Sequence, residues 1–292
     1  MRIERFAAID VGSNAIRILF SNVLYIKGKV PEVNKAHLVR TPIRLGEDVF
    51  TKGLISEEKI IKMVHAFKAF KHLMEVYEVK NYLAYATSAM RNAENAQEVI
   101  GRLKNESGIN LTLIDGKQEA EIIFKTQLSN HLDPEKNYLY MDVGGGSVEL
   151  TVFSKGEVMA SKSFKAGTIR LLNNNEEAEA AKSEMMDWVR KNTESVKRIS
   201  LIGSGGNINK LYKMSKAKKE SPMSLDHLLD VFEDLDSISY EERIEKYKLN
   251  PDRADVIIPA SKLFIEVMKA AKSEEILVPK MGLADGMIRS MV

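Results

Sequence analysis

No cysteine occurs among the 292 residues, which excludes disulfides, thiolate nucleophiles and cysteine-ligated metals. A chain without disulfides suits a reducing compartment. No apolar run approaches the roughly 18 residues of a membrane-spanning helix, and residues 1–9 lack the apolar centre of a secretory signal. A cytoplasmic protein with no membrane contact is therefore expected. Only seven prolines are present, and no stretch rich in Pro, Gly or Ser interrupts the chain, so hinged rather than tethered domains are expected. The formal net charge is only +2, which excludes the strongly basic profile of a nucleic-acid binder. The five histidines, His37, His65, His72, His131 and His227, stand apart without metal-ligand spacing. No Gly-Lys-Ser or Gly-Lys-Thr occurs, so there is no P-loop.

What is present is a pattern that occurs twice. Residues 6–9 form a short apolar run that stops at Asp10; Gly12, Ser13 and Asn14 make a turn, and a second apolar run follows over 15–20. The same succession returns at 138–141, Asp142, Gly144 to Ser147 and 148–153, with Asp142 lying 132 residues after Asp10. A period this long excludes a solenoid and implies two related halves, each opening with a strand–turn–strand hairpin. Between them, Ser56 is the candidate N-cap of a helix in which Ile60, Ile61, Val64, Phe67, Phe70, Leu73, Met74 and Tyr77 recur at helical spacing. Strands are expected at 82–86 and 111–114, with helices at 96–106 and from about 118. Later, a strand at 198–202 enters the turn Gly203, Ser204, Gly205, Gly206, Asn207, and a helix is expected at 208–214. Further helices are expected near 225–235, 240–247 and 253–271, the last interrupted at Pro259, with a short helix at the end. This alternation predicts an α/β chain long enough for two domains.

Three glycine turns, at Gly12 to Asn14, Gly144 to Ser147 and Gly203 to Asn207, could converge backbone N–H groups on an anion. A plain tight turn is the simpler account of each, although the strand-to-helix turn at 203–207 is of the kind that binds nucleotides. Asp10 and Asp142 enter two of these turns, and a carboxylate beside phosphate requires an intervening hard cation such as Mg²⁺. Glu149 alternates with Val148 and Leu150 on the next strand and would face away from them, as an exposed strand carboxylate or as a metal ligand. Glu119 and Glu121 sit at a helix start, where acids favour the helix dipole. Arg91 follows a strand end and could grip a phosphate oxygen, or simply lie on the surface. Lys210, Lys213, Lys216, Lys218 and Lys219 crowd into ten residues; a solvated face explains them, as would contact with a polyanion.

Taken together and in order, these segments resemble the exopolyphosphatase and guanosine pentaphosphate phosphatase family. The resemblance rests on Ile9-Asp10-Val11-Gly12-Ser13-Asn14 with Arg17, then Leu45-Gly46-Glu47, Thr87-Ser88-Ala89-Met90-Arg91 and Gly116-Lys117-Gln118-Glu119-Ala120. It continues through Asp142-Val143-Gly144-Gly145-Gly146-Ser147-Val148-Glu149, Gly167-Thr168-Ile169-Arg170-Leu171, Gly203-Ser204-Gly205-Gly206-Asn207 and Arg253-Ala254-Asp255. The sequence departs from the family at Gln118, where an acid is usual, at Ala260-Ser261, where glycines are usual, and around Ala284, where an arginine is typical. The histidine- and aspartate-containing helical domain of long members does not follow. Any grip on a long substrate is then left to these two domains or to a second subunit, as in a homodimer.

The resemblance implies an α/β fold of two actin-like (ribonuclease H-like) domains with an interdomain cleft, divided as 1–125 plus a C-terminal helix at about 283–292, and 126–282. It implies exopolyphosphatase activity: removal of the terminal phosphate of inorganic polyphosphate by an activated water. Asp10, Gly12, Ser13, Asn14, Gly144, Gly145, Gly146 and Ser147 would hold phosphate. Arg91 would neutralise it, Mg²⁺ (or Mn²⁺) would associate with Asp142 and Glu149, and Glu119 would deprotonate the water. Gly203, Gly205, Gly206, Asn207 and Arg253 would take a nucleotide or more of the polyphosphate. Guanosine pentaphosphate is the alternative substrate. A sugar or acetate kinase, or a non-catalytic guanosine tetra- or pentaphosphate sensor, would release no phosphate from polyphosphate without an acceptor.

Overall fold

In the computed structural model the chain divides into two units, one comprising Met1–Thr126 and Met281–Val292, the other Gln127–Lys280. The structure describes all residues except 117, 120, 123–132, 134, 174, 175, 197, 216, 219, 220, 280 and 281. Lys117, Ala120, His131, Lys216 and Lys219, and the expected boundary between 125 and 126, thus lie outside the described residues.

The first unit opens with an antiparallel meander of β1 (Arg2–Val11), β2 (Ile16–Tyr25) and β3 (Glu32–Thr41). Helices α1 (Leu45–Lys52) and α2 (Glu57–Val76) follow, and then β4 (Asn81–Ala86) lies parallel to β1. After α3 (Ser88–Asn92) and α4 (Ala96–Ser107), the short β5 (Thr112–Leu113) completes the order β3-β2-β1-β4-β5. Residues 6–11 of β1 are buried in unbroken succession, as expected of a strand covered on both faces. The buried stripe of α2, with Ile60, Met63, Val64, Phe67, Phe70 and Met74, belongs to the same core as Ile9, Val11 and Ile18. Burying each of the larger of these side chains is worth about 1.5–3 kcal/mol.

The second unit repeats this plan. A meander of β6 (Asn137–Val143), β7 (Val148–Ser154) and β8 (Glu157–Phe164) leads into α5 (Thr168–Leu172) and α6 (Glu176–Thr193). Strand β9 (Ile199–Ser204) lies parallel to β6, and α7 (Gly206–Met214) follows it. Next come β10 (Met223–Ser224), α8 (Leu225–Asp236), α9 (Tyr240–Tyr247), α10 (Pro251–Ala254), α11 (Ile257–Ala270) and β11 (Glu275–Leu277). The sheet order, β8-β7-β6-β9-β11, matches that of the first unit strand for strand, with β10 added at the far edge. The last helix, α12 (Leu283–Ser290), packs on β1, β2 and β4.

Two expectations need correction. The helix expected over 253–271 is broken at Asp255 and Val256 rather than at Pro259. Pro259 is the third residue of α11, where a backbone N–H has no partner inside the helix, so the ring costs nothing there. Glu149 is not an exposed strand carboxylate: it is only 4% exposed. Strand β7 is covered on both faces from Val148 to Phe153, so alternation does not bring any of those residues to solvent.

The plan puts chemistry at one end of each sheet. Parallel neighbours β1 and β4 end together at Val11 and Ala86, and β6 and β9 end together near Asp142 and Ser204. The carboxyl ends of parallel strands are where α/β sheets bind ligands.

Candidate active site

In the first unit the Gly12 N–H donates to the Ala15 carbonyl at 3.1 Å and closes the hairpin. The next two carbonyls are drawn to one side: Ser13 O accepts from Gly46 N at 2.8 Å and Asn14 O from Arg44 N at 3.0 Å. Arg44 adopts a left-handed conformation, φ 57°, which directs its N–H into the turn. A turn whose carbonyls are held on one side is of the kind that can present its N–H groups to an anion. Asp10, one residue before Val11, is buried and accepts from Arg17 at 2.7 Å.

Beside that turn, Thr87 N donates to Val11 O at 3.1 Å, which fixes the start of α3. Arg91, near the end of α3, is not a free surface arginine. It donates to Ile114 O at 2.7 Å and to Glu119 Oε2 at 3.4 Å. Glu119 is set by a reciprocal cap: Gln118 N donates to Asp115 Oδ1 at 2.7 Å, and Asp115 N donates to Gln118 Oε1 at 3.1 Å. This exchange is the capping-box arrangement, in which Gln serves as well as Glu. The departure at Gln118 therefore has a local structural use. Glu119 is 8% exposed, whereas Glu121 lies open to solvent.

The second unit holds its turn more tightly. Gly144 N donates to Ser147 O at 3.0 Å, matching Gly12 and Ala15 at a distance of 132 residues. Gly144 O accepts from Thr168 N at 3.0 Å, and Gly145 O from Ile169 N at 2.9 Å. Gly146 O accepts from Arg170 Nε at 2.9 Å. Gly167 passes so close that a Cβ there would sit 2.4 Å from backbone atoms of Gly145 and Gly146. Gly167→Ala is expected to displace the turn and destabilise the protein by about 1–3 kcal/mol, as overpacking does, with a larger fall in activity at this site. Thermal denaturation and kinetics on the same preparation check this; full activity at unchanged stability would contradict it.

The hairpin registers coincide but their chemistry does not. Asp10 faces Arg17 across β1 and β2, whereas Asp142 faces Glu149 across β6 and β7. Cross-strand partners share a face with Cβ atoms about 4.5–5.5 Å apart, and like charges so placed repel. Glu149 Oε1 accepts from Ser147 Oγ at 2.6 Å and Ser163 Oγ at 3.1 Å, which fixes the carboxylate. Among the described residues no group of three or more acids or histidines forms a metal cage. Two neighbouring carboxylates are nevertheless what Mg²⁺ uses when substrate phosphates and water complete its shell. The donor set fits such an ion.

The turn after β9 comes to the same place. Gly205 has φ +106°, and a Cβ there would lie 3.2 Å from Asp142 Oδ1. At Gly206, which opens α7, a Cβ would lie 2.8 Å from an Arg253 nitrogen. Asp142, Gly205, Gly206 and Arg253 are thus brought together, with Asn207 on the first turn of α7. Gly203 is not part of this group. Its missing side chain faces Ile276, Ile208 and Phe264, so it serves close packing in the core. The lysine cluster is also divided. Lys210 donates to Tyr247 O at 2.7 Å, and burial, with repulsion from Lys213 and Arg253, pushes its ammonium below the usual lysine range. Sequence reasoning gave no role to Arg17, Gly167 or Arg170; the 132-residue offset, which sets Arg17 against Glu149, could have marked the first.

A model of the Ppx/GppA phosphatase family matches residues 37–292. Exopolyphosphatase 2 of Mycobacterium tuberculosis is 25% identical over all of this chain and 99% of its own length. A bifunctional 3-dehydroquinate synthase/phosphatase of Fusobacterium nucleatum is 27% identical over 93% of this chain, which spans only 44% of that longer protein. The crystal structure of an exopolyphosphatase from Cytophaga hutchinsonii superposes with a TM-score of 0.85 at 27% identity, covering 99% of this chain and 97% of the other.

Proposed function

Because the chain belongs to the Ppx/GppA phosphatase family, we propose that it is an exopolyphosphatase, hydrolysing the terminal phosphoanhydride bond of inorganic polyphosphate. The reading is carried by one observation, the Arg91–Glu119 pair at the carboxyl end of the first sheet. A buried carboxylate on a capped helix turn, beside a guanidinium able to grip phosphate, is suited to base catalysis on a phosphate ester or anhydride.

Phosphoryl transfer needs positioning and charge neutralisation more than covalent help. Each of the turns at Gly12 to Asn14 and Gly144 to Ser147, one in each unit, offers N–H groups that would bind phosphate oxygens. Arg91 exchanges part of its hold on Glu119 for the arriving anion, so substrate binding loosens the carboxylate as the base is needed. Glu119 then takes a proton from water as the water oxygen bonds to the terminal phosphorus and the anhydride P–O bond breaks. Asp142 and Glu149 would hold Mg²⁺, which neutralises phosphoryl oxygens when bound. The Asp10–Arg17 pair holds its hairpin without adding net charge.

Guanosine pentaphosphate is a second candidate substrate, favoured by the turn at Gly205, Gly206 and Asn207 beside Arg253. Among the described residues no helix is long and apolar enough to cross a membrane, and the cysteine-free chain suits the cytoplasm. The test is release of orthophosphate from polyphosphate with neither acceptor nor nucleotide present. The expected products are orthophosphate and chains shortened by single units. Absence of release, or internal fragments alone, overturns the reading.

A further inference from the structure

The second phosphate turn is held from beneath by a buried guanidinium, and we infer that Arg170 is the positioning residue that sets the N–H groups of Gly145, Gly146 and Ser147 for phosphate. The inference rests on the function proposed above and deepens it. Arg170 is 6% exposed, an unusual place for a cation. Burial drives its charge toward the neutral form, opposed by Glu177. A desolvated guanidinium is costly unless its hydrogen bonds are made, and the bond from Arg170 Nε to Gly146 O is one of them.

The comparison between the halves shows what this one does. The segment after the third strand approaches the turn in both units. Ser13 O and Asn14 O accept from backbone N–H groups of Gly46 and Arg44. Their counterparts 132 residues on, Gly145 O and Gly146 O, accept from Ile169 N and from the Arg170 side chain. One backbone donor of the first half is therefore replaced by a charged side chain in the second. A charge-assisted bond is the stronger kind, and here it falls on a turn containing three consecutive glycines, the most flexible backbone available. Among the described residues, neither the Gly145 nor the Gly146 N–H donates to a backbone carbonyl, which leaves that side of the turn for a ligand. Arg170 touches the carbonyl side, so it acts through the turn and not on substrate.

The experiment compares Arg170→Lys and Arg170→Met with the unaltered chain. Lys keeps the charge without the planar Nε donor, and Met keeps bulk without charge. Each should raise KM for polyphosphate by about ten- to a hundredfold, the worth of a hydrogen bond to a charged group, with kcat much less affected. Loss of folded protein would instead lower apparent kcat at constant KM. Amide hydrogen exchange supplies a readout independent of turnover: in both variants the 144–147 segment should exchange faster at Gly144, whose N–H is bonded to Ser147 O, while β6 and β7 keep their protection. Unchanged exchange in that segment, or a fall in kcat at constant KM, overturns the positioning role. If the unaltered chain releases no phosphate, the proposed function fails and the exchange measurement still decides the role of Arg170. Should Met prevent folding, Lys alone decides.

Discussion

Glu119→Gln is expected to lower kcat for phosphate release by about 10²–10⁴-fold, the range lost with a general base, while KM changes little. The amide can still hold a water but cannot take its proton. Glu121→Gln supplies the control. At about 100° per residue, positions 119 and 121 point roughly 200° apart on a helix, and Glu119 is buried beside Arg91 whereas Glu121 lies in solvent. A purely electrostatic role at the helix start predicts equal effects of a few tenths of a kcal/mol on stability and little on rate. Base catalysis predicts asymmetry. Steady-state kinetics on both variants separate the two, and similar kcat values, or a worse Glu121→Gln, would reassign the base.

Chelation is expected to reduce turnover by about 10²-fold or more, because neutralising phosphoryl oxygens is worth several kcal/mol; added Mg²⁺ or Mn²⁺ should restore it. The binding claim has its own readout. Mg²⁺ should raise the Tm of the unaltered protein, since a ligand that binds only the folded state stabilises it. Asp142→Asn should abolish both that shift and the activity. Asp10→Asn should instead weaken the 2.7 Å ion pair with Arg17 and leave the Mg²⁺ shift in place. A Tm response that survives Asp142→Asn, or vanishes with Asp10→Asn, places the cation elsewhere.

The hairpins could be read from the residues because short apolar runs ending at Asp10 and Asp142 and followed by glycine turns are local signals. The repeat carried the reading further, since a common offset fixes equivalent positions without any contact being known. Glu149 defeated it: alternation assumes one wet face, and β7 has none over residues 148–153. Strand β8 hid for the opposite reason, being an edge strand in which only Phe164 is buried while Val158 and Met159 are exposed. Pro259 suggested a break because its place in a helix depends on where the helix begins. Gly203 looked like its neighbours Gly205 and Gly206, but whether a glycine makes room for a ligand or for Ile276 and Phe264 is decided in three dimensions. The hold of Arg170 on Gly146 joins residues 24 apart through a carbonyl, and carbonyls leave no trace in a sequence.

The docking of α12 on β1, β2 and β4 bears on how the chain matures during synthesis. Leu283, Ala284, Met287 and Ile288 are buried in the first unit, and Asp285 pairs with Lys35 at 2.8 Å. At ribosomal rates of about 5–20 residues per second, the roughly 170 residues between β5 and α12 take about 10–30 s to make. Throughout that interval the first unit lacks the helix that packs on β1, β2 and β4. All strands of the second unit are made before α12, so the unit begun first is the last to receive its full set of elements.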